Sequence, residues 1–360
     1  MRLRGGGMNI DELMTYQDIT EYLKKKKRRT HLLLGNGFSM AYDKSIFSYN
    51  ALSSFITDSD DEDLKKLFIS LNTKNFETIM QQLDVFVEIA KIFDIEDTIV
   101  DKICKKSDAL KNGLIEAVKG LHPEHVFTIP EEKSKSCFEF LRDYLEYGGC
   151  VFSTNYDLLL YWILMRNATN DAIDGFGREL ENQSDEFEPN WEPEFSEVLY
   201  WGIHKDNQNI FYLHGTLPIF DTGIEIIKET YTKKDNKYLL ENIERRMNNK
   251  EYPVFVTAGN AEEKLRHIAH NKYLTYCFDK FCSIDGSLVT FGFCFGDNDT
   301  HIINAINKAA KQPINSRLRS IYIGVYSDLD LQHIEKIKDK FMCKVNLYNA
   351  KTVNIWNHED

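Results

Sequence analysis

Three short polar motifs, far apart in the sequence, contain the residues that could do chemistry. Each follows an apolar run typical of a buried strand: Gly35-Asn36-Gly37-Phe38-Ser39, Ser153-Thr154-Asn155-Tyr156-Asp157 and His214-Gly215. In an open parallel sheet, the carboxyl ends of the strands share one edge, where ligands bind. The motifs are therefore predicted to meet in one crevice, where a glycine turn, an Asn/Asp pair and a histidine would converge.

The glycine turn is of the kind that binds phosphate. Gly35 and Gly37 stand between a predicted strand and a helix start, where backbone N–H groups can face a pyrophosphate. Taken alone the motif is weak, because Met40 occupies the third glycine position of the dinucleotide fingerprint. No acidic residue ends a second strand about twenty residues further on. A turn whose glycines serve only the backbone geometry is the alternative.

Side chains that could take part in catalysis follow the second and third apolar runs. Asn155 and Asp157 can project into the crevice, although either could instead cap the helix predicted to begin at Leu158. Capping is the favoured role for Asp157. His214 closes an apolar strand and is placed for proton transfer or for a hydrogen bond to a ribose. A structural histidine is the alternative.

A fourth motif also follows a predicted strand and opens a helix. It reads Gly292-Phe293-Cys294-Phe295-Gly296-Asp297-Asn298-Asp299-Thr300-His301. Its glycines allow close approach of the backbone, and its carboxylates could accept hydrogen bonds from a ribose or an adenine. Helix capping by Asp297 or Asp299 is the alternative.

The elements around these motifs predict an α/β fold. Apolar runs alternate with helical patterns, which predicts a Rossmann-like, doubly wound parallel sheet. The predicted strands are His31–Leu34, Cys150–Ser153, Val198–Trp201, Ile210–Leu213, Pro253–Thr257, Ser287–Phe293, Ser320–Tyr326 and Lys344–Tyr348.

The sequence also predicts how the chain is divided. Apolar residues at three-and-four spacing predict helices from Leu64 to about Leu121. Residues 46–134 are therefore predicted to be a helical insertion that forms a smaller lid subdomain. The Rossmann-like domain would comprise residues 30–45 and 135–350. Residues 1–29 would be a flexible tail and a helix, Ile10–Lys24.

Composition limits the partners of the chain. It has 360 residues, 42% of them hydrophobic, and a formal net charge of −12. This charge gives no general attraction for nucleic acid or an anionic membrane. The basic run Lys24–Arg29 ends the first predicted helix, where cations complement the helix dipole; a docking or nucleic-acid patch is the alternative. Without a signal-peptide core or an apolar run that could span a bilayer, we expect a cytoplasmic protein that binds neither nucleic acid directly nor membrane.

The cysteine pattern bears on metal binding. The chain has seven cysteines and no CxxC pair. An odd number without a secretion signal indicates reduced thiols. Cys277 and Cys282 are the nearest in spacing, with no second pair to complete a tetrahedral site. No zinc or other metal site is therefore expected.

In their order along the chain, the four motifs resemble the sirtuin (silent information regulator) superfamily. They resemble its bacterial sirtuin-like NADase branch, effectors of antiphage defence, more closely than the protein deacylases. The resemblance covers about residues 30–350 and implies that Asn155 and His214 are catalytic. It also implies that NAD is the substrate, bound by Gly35, Asn36, Gly37, Phe38, Ser39, Ser153, Thr154, Asp157, Gly292, Phe293, Phe295 and Asp297.

Two departures separate the chain from the deacylases. Their paired zinc-binding CxxC motifs are absent, and their Pro-Asp-Phe-Arg segment is replaced by Tyr42-Asp43-Lys44-Ser45-Ile46-Phe47. Both losses weaken the case for an acetyl-lysine tunnel. The resemblance therefore implies an NAD+ glycohydrolase that cleaves NAD to nicotinamide and ADP-ribose. An NAD-dependent protein deacylase and a non-catalytic module that binds NAD or ADP-ribose are the alternatives.

The resemblance has implications for control as well. Related chains deplete NAD in antiphage defence by abortive infection and are paired with separate sensors, such as a HerA-like hexameric ATPase. Because the sirtuin-like region takes up nearly the whole chain, we expect control through a homo-oligomer or a separately encoded partner.

Overall fold

The computed structural model describes residues 9–44, 62–70, 76–93, 95–120, 126–167, 170–180, 195–230, 238–256 and 260–356. The strands of this part of the chain are β1 Thr30–Leu34, β2 Val151–Ser153, β3 Phe176–Gly177, β4 Leu199–Trp201, β5 Ile210–Tyr212, β6 Gly215–Asp221, β7 Ile226–Lys228, β8 Pro253–Phe255, β9 Gly286–Phe291, β10 Leu318–Val325 and β11 Lys344–Asn349. The helices are α1 Tyr16–Lys26, α2 Gly37–Tyr42, α3 Glu62–Ser70, α4 Phe76–Ile92, α5 Asp97–Gly120, α6 Glu131–Leu145, α7 Leu159–Arg166, α8 Leu239–Asn248, α9 Ala261–His270, α10 Lys272–Phe281, α11 Thr300–Ala310 and α12 Asp328–Ile337.

A six-stranded parallel sheet forms the centre of the fold, in the order β5-β2-β1-β9-β10-β11. Numbered along the chain, these strands lie in the order 3-2-1-4-5-6, which is the order of dinucleotide-binding doubly wound folds. The predicted Rossmann-like parallel sheet is therefore confirmed. The strand order reverses between β1 and β9, and this switch point is where such folds bind ligands.

The central strands are buried on both faces, as parallel strands covered by helices are. Leu32, Leu33 and Leu34 of β1 have no exposed surface. On the neighbouring strands, the rings of Phe152 and Phe211 stack with centroids 5.0 Å apart. The strand ends that bear the polar motifs are thus fixed by a packed core.

A second sheet is antiparallel and has the order β3-β4-β7-β6-β8. The sequence prediction placed Val198–Trp201 and Pro253–Thr257 in the parallel sheet, which was wrong, and it did not predict β3, β6 or β7. Only Leu213 and His214 separate β5 from β6. So short a connection cannot cross over to a parallel neighbour, which needs a dozen or more residues.

Helix boundaries follow local capping. The predicted helix Ile10–Lys24 begins instead at Tyr16, because Thr15 and Asp18 form a capping box there. The predicted helical stretch Glu262–Phe281 is divided into α9 and α10. Asn271 interrupts it and accepts hydrogen bonds from the first backbone N–H groups of α10.

Helices α3, α4 and α5 lie within the predicted insertion of residues 46–134. Helix α4 packs against α5, and α5 contacts α8. Residues 46–61, 71–75, 94 and 121–125 of the insertion lie outside the described residues. The lid function of this insertion remains a prediction. Among the helices that the structure describes, none is both long and apolar enough to cross a membrane.

The turn after β1 and the turn after β9 touch through their backbones. The N–H of Gly37 donates to the carbonyl of Gly292 at 2.8 Å. Gly292 has a φ of +69°, and a Cβ at this position would lie 2.4 Å from the backbone nitrogen of Phe38. Glycine is therefore required here by geometry, whatever the turn binds.

Gly292→Ala is expected to lower the free energy of unfolding by roughly 3 kcal/mol or more, because a left-handed backbone is combined with a backbone clash. Gly296→Ala is the matched control, since Gly296 has a φ of −62° and the nearest atom to an added Cβ is 3.6 Å away. Urea unfolding of the two variants measures the difference. Equal stabilities would contradict the close contact of the two turns.

Candidate functional site

A cavity of about 400 Å³ opens where β1, β2, β5 and β9 end. It therefore lies at the switch point of the parallel sheet, and its volume is in the range of ligand pockets. Its lining residues come from the four predicted motifs and from α9: Asn36, Thr154, Asn155, Tyr156, Asp157, His214, Lys264, Gly292, Phe293, Cys294, Gly296, Asp297, Asn298 and Asp299.

The structure places eight of the predicted site residues in the lining of this cavity and six outside it. The predicted residues in the lining are Asn36, Thr154, Asn155, Asp157, His214, Gly292, Phe293 and Asp297. Those outside the lining are Gly35, Gly37, Phe38, Ser39, Ser153 and Phe295. The second group has supporting roles.

Phe38 and Phe295 belong to the core. The ring of Phe38 is fully buried against Trp356, with centroids 5.4 Å apart. Phe295 is likewise buried and packs edge-on against Phe293 and Phe341. Their rings hold the two turns in place, and neither residue lines the cavity. That they bind NAD stays a prediction.

Asn155 is fixed by a buried hydrogen-bond network. Its Nδ2 donates to the carbonyl of Gly35 at 3.0 Å and to Oγ of Ser39 at 3.1 Å. The Ser39 hydroxyl in turn donates to Oδ2 of Asp157 at 2.6 Å, and Oγ of Ser153 accepts the N–H of Asn155. With both donors of the amide engaged, Oδ1 of Asn155 is the group left to accept a hydrogen bond from a ligand or a water.

Asp157 is a positioning group. Besides the bond from Ser39, its Oδ1 accepts the N–H of Leu159 at 2.9 Å, at the start of α7. Both carboxylate oxygens are thus engaged within the chain. The capping role that the sequence left open for Asp157 is present, and it coexists with the link to Ser39 and Asn155.

The glycine turn offers fewer free donors than a phosphate-binding turn would. The N–H groups of Gly35 and Gly37 donate to the carbonyls of Phe291 and Gly292, and that of Phe38 donates to Gly35. Asn36, which lines the cavity, is the member of the turn best placed to meet a ligand. The alternative of a turn built for backbone geometry therefore accounts for much of this motif.

His214 stands at a rigid corner between the two sheets. Its carbonyl accepts the N–H of Val256 at 2.7 Å. Gly215 has a φ of +73°, and a Cβ there would lie 1.9 Å from the carbonyl oxygen of Val254. The backbone around His214 is therefore held by the approach of the strand β8.

His301 is the buried partner of His214. The Nε2 atoms of the two rings are 2.9 Å apart, and the rings lie nearly parallel with centroids 5.1 Å apart. His301 closes the fourth motif in sequence, but no role could be given to it because its partner lies 87 positions away. The available indication that His301 belongs to the site was its position, four residues after Asp297 and in the first turn of α11.

Lys264 is a second residue that the sequence did not single out. It lines the cavity, is only 4% exposed, and donates to Oδ1 of Asp299 at 2.8 Å. An ammonium group has three donors, so this ion pair leaves capacity for ligand oxygens. Asp299 makes no side-chain capping bond at α11; the capping alternative for this residue was wrong.

Burial and nearby cations keep both histidines neutral. Burial lowers the pKa of His301 to about 4, and Lys264 adds to the effect while Asp299 opposes it. Burial also holds the pKa of His214 well below its ordinary value, with further lowering by His301, Lys264 and His267. The pair therefore carries no charge at neutral pH.

This shift predicts a pH dependence of stability. In the unfolded chain the pKa of His301 returns to about 6.5, so the unfolded state binds the proton first as the pH falls. Stability should be lost progressively below that pH, until the folded ring titrates near its own pKa of about 4. For His301 alone, the loss between pH 7 and pH 5 is about 2 kcal/mol.

Urea unfolding at several pH values checks this, with His301→Phe as the comparison because it removes the titrating group and keeps an aromatic ring. The variant should lose less stability than the wild type between pH 7 and pH 5. An identical slope for both proteins would contradict a buried, neutral His301.

Metal ligands are a separate question. In the described residues, no group of three or more His, Cys, Asp or Glu side chains is arranged to hold a metal ion. All seven cysteines are free thiols. The absence of zinc nevertheless remains a prediction.

Elemental analysis of the purified protein should find no stoichiometric zinc, and chelators should leave the unfolding midpoint unchanged, because the described residues contain no ligand set that would tie metal binding to folding. One tightly bound zinc per chain would overturn the prediction and favour the deacylase alternative.

Fold and site together define a doubly wound α/β protein with a ligand cavity at its switch point. The sequence profile of the DUF4917 family, a domain of unknown function, matches residues 32–356, and the chain belongs to this family. No curated protein matches the chain.

Proposed function

We propose that this protein is an NAD+ glycohydrolase that cleaves NAD to nicotinamide and ADP-ribose. The observation that supports the proposal is the presence of Asn155 and His214 in one cavity at the switch point of a 3-2-1-4-5-6 sheet. Sheets of this order bind dinucleotides at that point. A fixed amide and a buried neutral histidine are groups that can act on a ribose there.

Cleavage of the bond between ribose and nicotinamide requires fixed dipoles and a positioned water. The bond from the ribose carbon to the nicotinamide nitrogen breaks, nicotinamide leaves as a neutral molecule, and positive charge develops on the ribose. A water then forms the new bond to this carbon and loses a proton to solvent. Preorganised dipoles in a site closed to bulk water lower the barrier of such a step.

Asn155 is assigned to water and ribose positioning. Its amide cannot rotate without breaking the bonds to Gly35 and Ser39, so Oδ1 keeps one direction and can accept a hydrogen bond from water or from a ribose hydroxyl. His214 is assigned to a ribose-hydroxyl contact or to general base catalysis.

The charges of the cavity favour the nicotinamide end of NAD over its pyrophosphate. Asp157, Asp297 and Asp299 lie in the lining, against one cation, Lys264, among the lining residues. Excess negative charge stabilises the positive nicotinamide ring and the charge that develops on the ribose, and it repels phosphates. The glycine turn has few free N–H donors for a phosphate, which agrees with placing the nicotinamide end of NAD in this cavity.

The same proposal includes a role in the cell. By the sirtuin resemblance, the protein is an NAD-depleting effector of bacterial antiphage defence, active in the cytoplasm. Its activity would be controlled by homo-oligomer formation or by a separately encoded partner, such as a HerA-like hexameric ATPase. Helix α4 exposes Val85, Ile89 and Ile92 on one side, and such apolar surface suits a contact with another chain.

Asn155→Ala and His214→Ala should each lower NAD cleavage on the order of a hundredfold or more, the range for loss of a positioned catalytic group. His204→Ala is the control, because His204 is exposed and lies outside the cavity lining. Nicotinamide release is followed with and without the proteins encoded beside the gene, and acyl-lysine peptides are tested in parallel. Wild-type turnover in either cavity variant would reject the assignments, and acyl transfer from the peptide would favour the deacylase alternative.

Binding has an independent readout in Cys294. This thiol is exposed and lines the cavity, whereas the other six cysteines are buried or partly buried. NAD or ADP-ribose should slow alkylation of Cys294, followed by mass spectrometry of the labelled peptide, and should leave labelling of Cys343 unchanged. Protection without nicotinamide release in any condition would favour the non-catalytic alternative.

A further inference from the structure

His301 is held as firmly as His214. It is 2% exposed, and its ring lies between His214 on one side and Phe278 on the other, nearly parallel to both. Nothing in the proposed reaction requires a second histidine at this depth. Its contact with His214 is a hydrogen bond between the two Nε2 atoms.

That bond restricts where the protons lie. A neutral imidazole has one nitrogen that donates and one that accepts. Because the Nε2 atoms face each other at 2.9 Å, one of them must be protonated and the other bare. The two possibilities differ in the tautomer of His214.

The surroundings of His301 distinguish the two possibilities. Its Nδ1 is fully buried and has no hydrogen-bond partner among the described residues. The carbonyl of Asn298 favours a protonated His301 ring but makes no hydrogen bond to Nδ1, so a proton on that atom would be a buried donor without a bonded acceptor. Orphaned N–H groups are rarer in folded proteins than orphaned acceptors. The proton of His301 therefore belongs on Nε2, which donates to Nε2 of His214.

We propose that His301 is a positioning residue that holds His214 in the tautomer protonated on Nδ1. His214 then meets the substrate as an N–H donor to a ribose oxygen, since its lone pair on Nε2 is taken by His301. This step rests on the proposed NAD cleavage, and it decides between the two roles assigned to His214 above. General base catalysis by this ring is excluded while the pair is intact.

Neighbouring groups agree with this assignment. The carbonyl of Thr154 favours a protonated His214 ring, so the Nδ1–H would be shared between this carbonyl and a ribose oxygen. Lys264 and His267 disfavour a charged pair, and Asp299 is engaged by Lys264. The pair thus stays neutral, with one proton shared between the two Nε2 atoms. The Nδ1–H of His214 is then a donor whose charge does not change during the reaction.

Two variants isolate the hydrogen bond from packing. His301→Phe keeps a flat ring between His214 and Phe278 but has no nitrogen. His301→Gln has an amide N–H that can reach the position of Nε2, so it can restore the donor.

The first measurement needs no substrate. Nitrogen-15 spectra of the histidine side chains are recorded on the full chain, with His214→Ala used to assign the His214 signals. Wild type and His301→Gln should show His214 protonated on Nδ1, and His301→Phe should show a mixture of tautomers. A wild-type His214 protonated on Nε2, or an unchanged tautomer in His301→Phe, would overturn the proposal.

The second measurement is NAD turnover. His301→Phe should lower kcat by roughly tenfold or more with little change in KM, as misorientation of a catalytic group does, and His301→Gln should recover most of the loss. An equal loss in both variants would show a structural role and overturn the proposal. If wild type releases no nicotinamide under any condition, the proposed function fails, whereas the tautomer result stands on its own.

Discussion

The backbone contact between the turns after β1 and β9 is the constraint on which the site depends. Gly37 and Gly292 approach so closely that neither position has room for a Cβ. This contact joins the two strands at which the sheet reverses its order. Asn36 on one side and the segment from Gly292 to Asp299 on the other thereby become opposite walls of one cavity. Gly37 and Gly292 are therefore best explained as the residues that allow the two cavity walls to approach each other.

A hydrogen-bond network extends that constraint to the second strand end. Ser39, just after the first turn, both accepts from Asn155 and donates to Asp157, so the turn after β1 fixes the polar residues after β2. The amide donors of Asn155 and both carboxylate oxygens of Asp157 are engaged within the chain, which makes the network rigid. The amide of Asn155 reaches the cavity already oriented, and orientation established during folding does not have to be gained when a ligand binds.

How much of this was predictable depends on whether a feature is local in sequence. Buried strands and the polar residues that follow them are local patterns, so the parallel sheet and the meeting of Asn155 with His214 could be expected. The antiparallel sheet was missed because four of its five strands have only two or three residues, and only the two-residue link before Gly215 marks the change of direction. Lys264 becomes a functional candidate because α9 lies against the cavity, and His301 because α11 brings it against His214. No local pattern encodes either contact. The ring of Phe38 faces Trp356 in the core, which its position in the motif does not reveal.

The electrostatics of the cavity bear on which reactions it can support. Lys264 pairs with Asp299 and at the same time disfavours protonation of both histidines. A site arranged in this way cannot supply an imidazolium to protonate a leaving group near neutral pH, so it is poorly suited to reactions that expel an alkoxide or an amide anion. Loss of nicotinamide from NAD needs no such acid, because the leaving group departs as a neutral molecule. What that reaction does need is negative potential beside the ribose and neutral dipoles around it, and the carboxylates, the amide of Asn155 and the uncharged His214–His301 pair are groups of those kinds.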